Sequence, residues 1–166
     1  MSDVLTIDQV AVGDSLRSLS VDVTPTTVVL GALASRDWRP MHHDYEFATV
    51  RNGVADIFLN TPNQAAWFER YVSDWTGPRG RLGRMTFRMK TSVFPGDRME
   101  LAGTVTALDT DEVGQGWATL DLTLTATATD GRDPTPRLAT TCTVRVALPA
   151  APTDNPWTRR GAAWAP

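Results

Sequence analysis

From Leu82 to Leu148 the chain keeps a period of two through four successive runs, and this limits the folds open to it more than any other feature. Met85, Phe87, Met89, Thr91 and Val93 alternate with polar residues, and Phe94-Pro95-Gly96-Asp97 then reads as a turn. Met99, Leu101, Gly103, Val105 and Ala107 form a second run, closed by acidic residues from Asp109 to Glu112. Ala118, Leu120, Leu122, Leu124, Ala126 and Ala128 share one face of the third, and Leu138, Cys142, Val144, Val146 and Leu148 share one face of the fourth. Four strands with one apolar face each and short connections predict an antiparallel sheet.

One strong helix precedes the sheet. Thr61 is the expected cap and Pro62 suits the first turn. Ala65, Phe68, Tyr71, Val72 and Trp75 recur at spacings of three and four, and Gly77-Pro78 ends the pattern. Upstream, Val10 to Asp14 reads as an edge strand entering a turn. Thr24 and Pro25 read as a helix start, although the β-branched run from Val28 suits a strand equally. A sheet that curls around one buried helix gives an α+β architecture in a single domain over residues 1–149. Residues 150–166, rich in Pro, Ala and Trp, read as an extended tail that docks on a surface, its own or a partner's.

The chain of 166 residues is long enough to bury roughly two-thirds of its unfolded surface. Its net charge of −3 argues against nucleic acid or an anionic membrane as partner. No apolar run approaches the roughly 20 residues of a membrane span. Met1-Ser2-Asp3-Val4 has neither the basic region nor the apolar core of a signal peptide, and the single Cys142 permits no internal disulfide. A cytoplasmic protein is expected.

The chemistry concentrates in Asp37-Trp38-Arg39-Pro40-Met41-His42-His43-Asp44-Tyr45-Glu46, which holds both histidines of the chain. Pro40 pushes Arg39 out of the helical region, so a corner there can bring Asp37 and His42 together. A carboxylate beside an imidazole moves protons near neutral pH. A zinc site would have to recruit Asp37, Asp44 or Glu46 beside the imidazoles, and a solvated loop without chemistry is the plain alternative. No nucleophile elbow or phosphate loop is present, and Cys142 falls on an apolar strand face.

The string Asp37-x-x-Pro40-Met41-His42-x-Asp44-x-x-Phe47-Ala48 resembles the signature of the MaoC-like, or (R)-specific, enoyl-CoA hydratases. That family pattern is Asp-x-Asn-Pro-aliphatic-His-x-Asp/Glu-x-x-Ala, and the likeness runs from about Ser20 to Leu148. Ala34-Ser35-Arg36-Asp37, Asp56-Ile57-Phe58-Leu59-Asn60 and Arg70-Tyr71-Val72-Ser73-Asp74-Trp75 are similar to small subunits of actinobacterial steroid side-chain hydratases, which work with a second hot-dog chain. The resemblance implies a hot-dog fold and the hydration of an enoyl-CoA thioester, with Asp37 and His42 as the catalytic pair. It implies no metal and no cofactor beyond the CoA of the substrate, and a homodimer or a heteromer of hot-dog chains. An acyl-CoA thioesterase and a scaffold subunit without its own chemistry are the competing readings.

The family's His-Gly pair, whose glycine amide contacts the oxyanion, is replaced here by Asp56-Ile57. The amide of Ile57 is the expected donor, with Gly53 as the alternative. Arg39 stands where the family has Asn, to contact CoA phosphates or a partner chain. Trp38, Arg39, His43, Asp56 and Phe58 are expected around the substrate, with His43 and Asp44 also supporting the pair. Arg79, Arg81, Arg84, Arg88 and Lys90 form a basic cluster after the helix, either a solvated face or a phosphate grip.

Overall fold

The computed structural model describes residues 4–166, so the reading of Met1-Ser2-Asp3 falls outside the described residues. These residues form one antiparallel sheet of five strands in the order β1-β3-β4-β5-β2. The strands are β1 Ser15–Asp22, β2 Arg81–Met89, β3 Asp97–Thr110, β4 Gly116–Ala128 and β5 Arg137–Leu148. Helix α1 spans Pro25–Ala34 and α2 spans Thr61–Thr76. No helix among the described residues is long and apolar enough to cross a membrane.

The first strand begins later than expected. Ala11 to Asp14 form a turn in which Asp14 N donates to Ala11 O at 3.1 Å, and Gly13 takes φ +98°. That positive φ suits glycine and closes the turn, so Val12 points to solvent and pairing runs from Ser15. The ambiguous run from Val28 is helical. Thr24 accepts from Thr27 N at 3.1 Å, Pro25 opens the first turn, and Gly31 lets α2 approach so closely that a Cβ there would collide with the Asn63 amide.

Helix α2 is the core element. Phe68, Tyr71 and Val72 are buried, each contributing roughly 1.5–3 kcal/mol, while Ala65 and Trp75 are half-buried. Its cap is Asn60 and not Thr61: Asn60 Oδ1 accepts Asn63 N at 3.1 Å, and Thr61 is the first helical residue. The same stripe carries two buried polar side chains, Asn63 and Gln64. Facing it are Met99 and Leu101 of β3, Leu120, Leu122 and Leu124 of β4, and Val144 and Val146 of β5.

Two bulges break the simple alternation. Between Val105 and Ala107 the pairing of β3 shifts, which turns Ala107 outward and Leu108 inward. In β5, Leu124 pairs with Thr140 but Thr125 pairs with Leu138, leaving Ala139 as the extra residue. Leu138 therefore faces solvent, against expectation, while Ala139 and Thr140 are fully buried. This bulge also ends β2 at Met89, short of the expected Val93. The amides of Lys90 and Thr91 both turn to Ala139 O, at 2.8 and 3.3 Å, and the chain leaves the ladder there.

Residues 150–166 dock on their own chain. Arg79 donates to the carbonyls of Pro152 and Asp154, Arg81 to those of Pro156 and Arg159, and Arg84 to that of Pro166. Three arginines of the basic cluster thus hold the tail, which is neither a solvated role nor a phosphate grip. Trp164 packs on Trp117 with ring centroids 5.1 Å apart, and the Arg81 guanidinium lies 3.5 Å from the Trp164 ring. Trp117 alternates with core residue Ala118, so it lies on the outer face of the sheet, yet it is fully buried. Trp117→Ala should lower unfolding free energy by about 3–5 kcal/mol and expose residues 150–166 to protease. Urea titration with limited proteolysis checks this, and an unchanged midpoint would show that the tail adds nothing to the fold.

Candidate active site

Asp37 is aimed by the way α1 ends. Asp37 N donates to Ala32 O at 2.9 Å and Arg36 N to Leu33 O at 3.1 Å, the bond pair of a Schellman cap. The residue in the left-handed position is Arg36, with φ +53°, where glycine is usual. That conformation costs about 1 kcal/mol or more for a residue with a side chain. It sits one position before Asp37. Arg36→Gly should therefore raise stability by about 1 kcal/mol, measured as a shift in the thermal or urea midpoint; a loss would mean that the Arg36 side chain contributes contacts outweighing the strain.

His42 arrives from the other side of the corner. Arg39 is extended before Pro40, and a 3₁₀ turn over Pro40–His42 brings the chain back. His42 is only 5% exposed. Its Nδ1 lies 2.8 Å from Phe58 O, and a carbonyl can only accept, so Nδ1 carries a proton and Nε2 presents a lone pair whenever the ring is neutral. The Phe58 ring stacks edge-on against the imidazole at 4.9 Å, and Phe94 stacks in turn on Phe58. Nε2 then stands 3.6 Å from Asp37 Oδ2, too long for a good direct hydrogen bond and suited to sharing one water.

Asp37 Oδ2 also accepts Asn60 Nδ2 at 3.0 Å. This bond holds the carboxyl below the usual carboxylate range; partial burial opposes it, and the Arg39 amide and the charges of His42 and Arg39 add to it. The pair opens onto a cavity of about 310 Å³, also lined by Met41, Gln64 and Met89 and walled by Lys90 to Ser92, the segment released by the β5 bulge. Arg39 and Lys90 stand on its lining, and neither has an acidic partner within ion-pair distance among the described residues. Among the described residues no three His, Cys, Asp or Glu side chains converge to hold a metal ion.

Across 98 residues, 59% of this chain and 75% of the other, the sequence is 36% identical to the 3-oxo-4,17-pregnadiene-20-carboxyl-CoA hydratase beta subunit of Mycobacterium tuberculosis. The chain belongs to the MaoC-like hydratase family. Its fold matches the ChsH1–ChsH2 complex of Mycobacterium tuberculosis with a TM-score of 0.67 and 29% identity, over 83% of this chain and 98% of that one. It matches the (R)-hydratase of A. caviae with a TM-score of 0.65 and 26% identity, over 84% and 98%. No family model matches the chain. The sheet wrapped on α2 is thus the hot-dog fold.

Other residues expected at this MaoC-like site fall elsewhere. Ile57 N donates to its neighbour's carboxylate, Asp56 Oδ1, at 2.6 Å, so the amide expected to face the oxyanion is already engaged. Neither Ile57 nor Asp56 lines the cavity, and Gly53 closes an exposed turn with φ +69°. Trp38 is 65% exposed and outside the cavity. His43 is exposed at the end of the 3₁₀ turn, and Asp44 accepts Phe47 N at 3.0 Å, starting the π-helical turn Phe47–Arg51. Phe58 and Arg39 do line the cavity.

Sequence reasoning missed Asn60 and Gln64. Gln64 lies four residues before Phe68 on the apolar stripe, and a polar residue on such a stripe was the available signal. Asn60 supplies Asp37 with a side-chain amide donor, where the family pattern has an Asn at the position of Arg39. Asn60→Ala should let the Asp37 pKa rise, so that its titration, followed by carboxyl-carbon NMR, moves to higher pH. The lost cap should cost about 1 kcal/mol. An unmoved Asp37 titration would assign its low value to Arg39 and His42 instead.

Proposed function

We propose that the chain is a hydratase of 2-enoyl-CoA thioesters, working through Asp37 and His42. The observation that carries this is the pair itself: a carboxylate held ionised and an imidazole with a free Nε2, 3.6 Å apart on one cavity. A water between them meets two acceptors. Asp37 orients it, and His42 Nε2 takes one of its protons as the oxygen attacks C3. The imidazolium, stabilised by Asp37 and by Phe58 O, then returns that proton to C2. One water is added and no net charge is released. No cofactor beyond the CoA of the substrate is invoked.

A cavity of about 310 Å³ is at the small end for organic ligands, so it suits the reacting thioester and not a whole bulky acyl-CoA. We assign the remainder to the open side, where Arg39 and Lys90 suit phosphates. The name of the mycobacterial relative supports a steroid side-chain CoA as the substrate class. The two-chain complex among the matching structures supports a second hot-dog chain as partner, which would close that open side. The engaged Ile57 amide favours one further reading, a subunit whose site is completed by that partner.

Hydration should be assayed with the chain alone and co-expressed with a second hot-dog chain, using short and steroid enoyl-CoAs. Asp37→Asn and His42→Ala should each lower the rate by about 10²–10⁴-fold with circular dichroism unchanged. Full activity of either variant in the active form would remove the pair from catalysis and leave the scaffold reading.

A further inference from the structure

Among the polar groups on the cavity that the reaction above leaves idle, one is fully buried. Gln64 is 1% exposed, one turn into α2, and still lines the cavity. Its Oε1 accepts the hydroxyl of Thr140 at 2.6 Å. Thr140 is fully buried beside the β5 bulge, so this bond fixes the amide, with its oxygen toward the sheet. Nε2 has no hydrogen-bond partner among the described residues, and it is absent from the polar side-chain atoms sealed inside protein. A buried residue whose only unsealed, unpaired donor meets a cavity points at whatever that cavity takes. Leaving such a donor empty is unfavourable, and an acceptor oxygen in the cavity would satisfy it.

Arg39, Lys90, Thr91 and Ser92 also bring donors to the lining, but on exposed or half-buried side chains, whereas the other buried donors near the pair are occupied. Asn60 Nδ2 is shared between Ser35 Oγ and Asp37 Oδ2, and Asn63 N and Gln64 N are both taken by Asn60. The Ile57 amide is closed by Asp56. We propose that Gln64 Nε2 donates the hydrogen bond that recognises the substrate's thioester carbonyl, in place of a backbone amide. The proposal rests on the hydratase reading for its catalytic consequence. As the water oxygen bonds to C3, the electrons of the double bond move through C2 onto the carbonyl oxygen. Gln64 steadies that charge without giving up a proton, and the charge returns to C2 as His42 protonates it. Thr140 is a positioning residue, since it touches only Gln64 in this account.

The test compares binding of a saturated acyl-CoA with that of its thioether analogue, which lacks the carbonyl oxygen, in whichever form of the protein is active. The native chain should prefer the thioester by about two- to tenfold. Gln64→Met, close in shape but without a donor, should abolish this preference and lower kcat for hydration by about 10²–10³-fold, with KM changed far less. Should Gln64→Met not fold, Thr140→Val frees the amide and should reduce the preference in the same direction. Equal binding of the two ligands by the native chain, or a preference kept by Gln64→Met, overturns the proposal. The hydratase reading fails separately, through full activity of the Asp37 or His42 variants.

Discussion

Asn60 joins three parts of the molecule through one side chain. Its oxygen caps α2, and its nitrogen bonds both the end of α1, at Ser35, and Asp37. It is 1% exposed, so these bonds form where water competes little. The helix that fills the sheet cannot start elsewhere without releasing the carboxylate, and α1 cannot shift without straining both. The depressed pKa of Asp37 is therefore a consequence of how the two helices meet.

The sheet contributes through an irregularity. An unbroken β5 would carry β2 onward beside it and leave Lys90 to Ser92 in the ladder. The extra residue at Ala139 instead draws the Lys90 and Thr91 amides to one carbonyl and releases the segment as the cavity wall. It also turns Thr140 inward to Gln64. One inserted residue thus shapes the wall and orients a side chain on the facing helix. On the outer face the tail plays the complementary part: Trp164, itself held under Arg81, covers Trp117 together with the Arg145 guanidinium.

The sheet and the core helix were legible because burial on one face leaves a periodic trace, and Leu120, Leu122 and Leu124 keep it without interruption. The trace fails at bulges, where a one-residue shift changes faces, as at Ala107 and Leu138. The corner was legible through Pro40 and the spacing of Asp37 and His42. What stayed hidden was non-local. Nothing near Asn60 in sequence says that it faces Asp37, 23 residues away, and nothing near Arg81 says that its partners lie at Pro156 and Arg159. The expected Ile57 donor followed the family pattern, and the sequence neighbour that displaced it, Asp56, acts through a bond that only the folded turn makes.

The two departures from the family pattern have a common remedy. Arg39 stands where the family pattern has an amide side chain two residues after Asp37, and Asp56 engages the backbone donor. In both cases the group that stands ready in exchange comes from the start of α2: Asn60 at its cap and Gln64 one turn in. A helix anchored at its cap and buried along one stripe holds such side chains more rigidly than the exposed loop around Gly53 could. Residues 60 and 64 are also one helical turn apart, so they face the same side and move together. Under the proposed chemistry, the carboxylate that orients water and the donor that receives charge are then fixed to a single rigid body. In that same scheme His42, tied to Phe58 O just before that helix, carries the proton from water to C2.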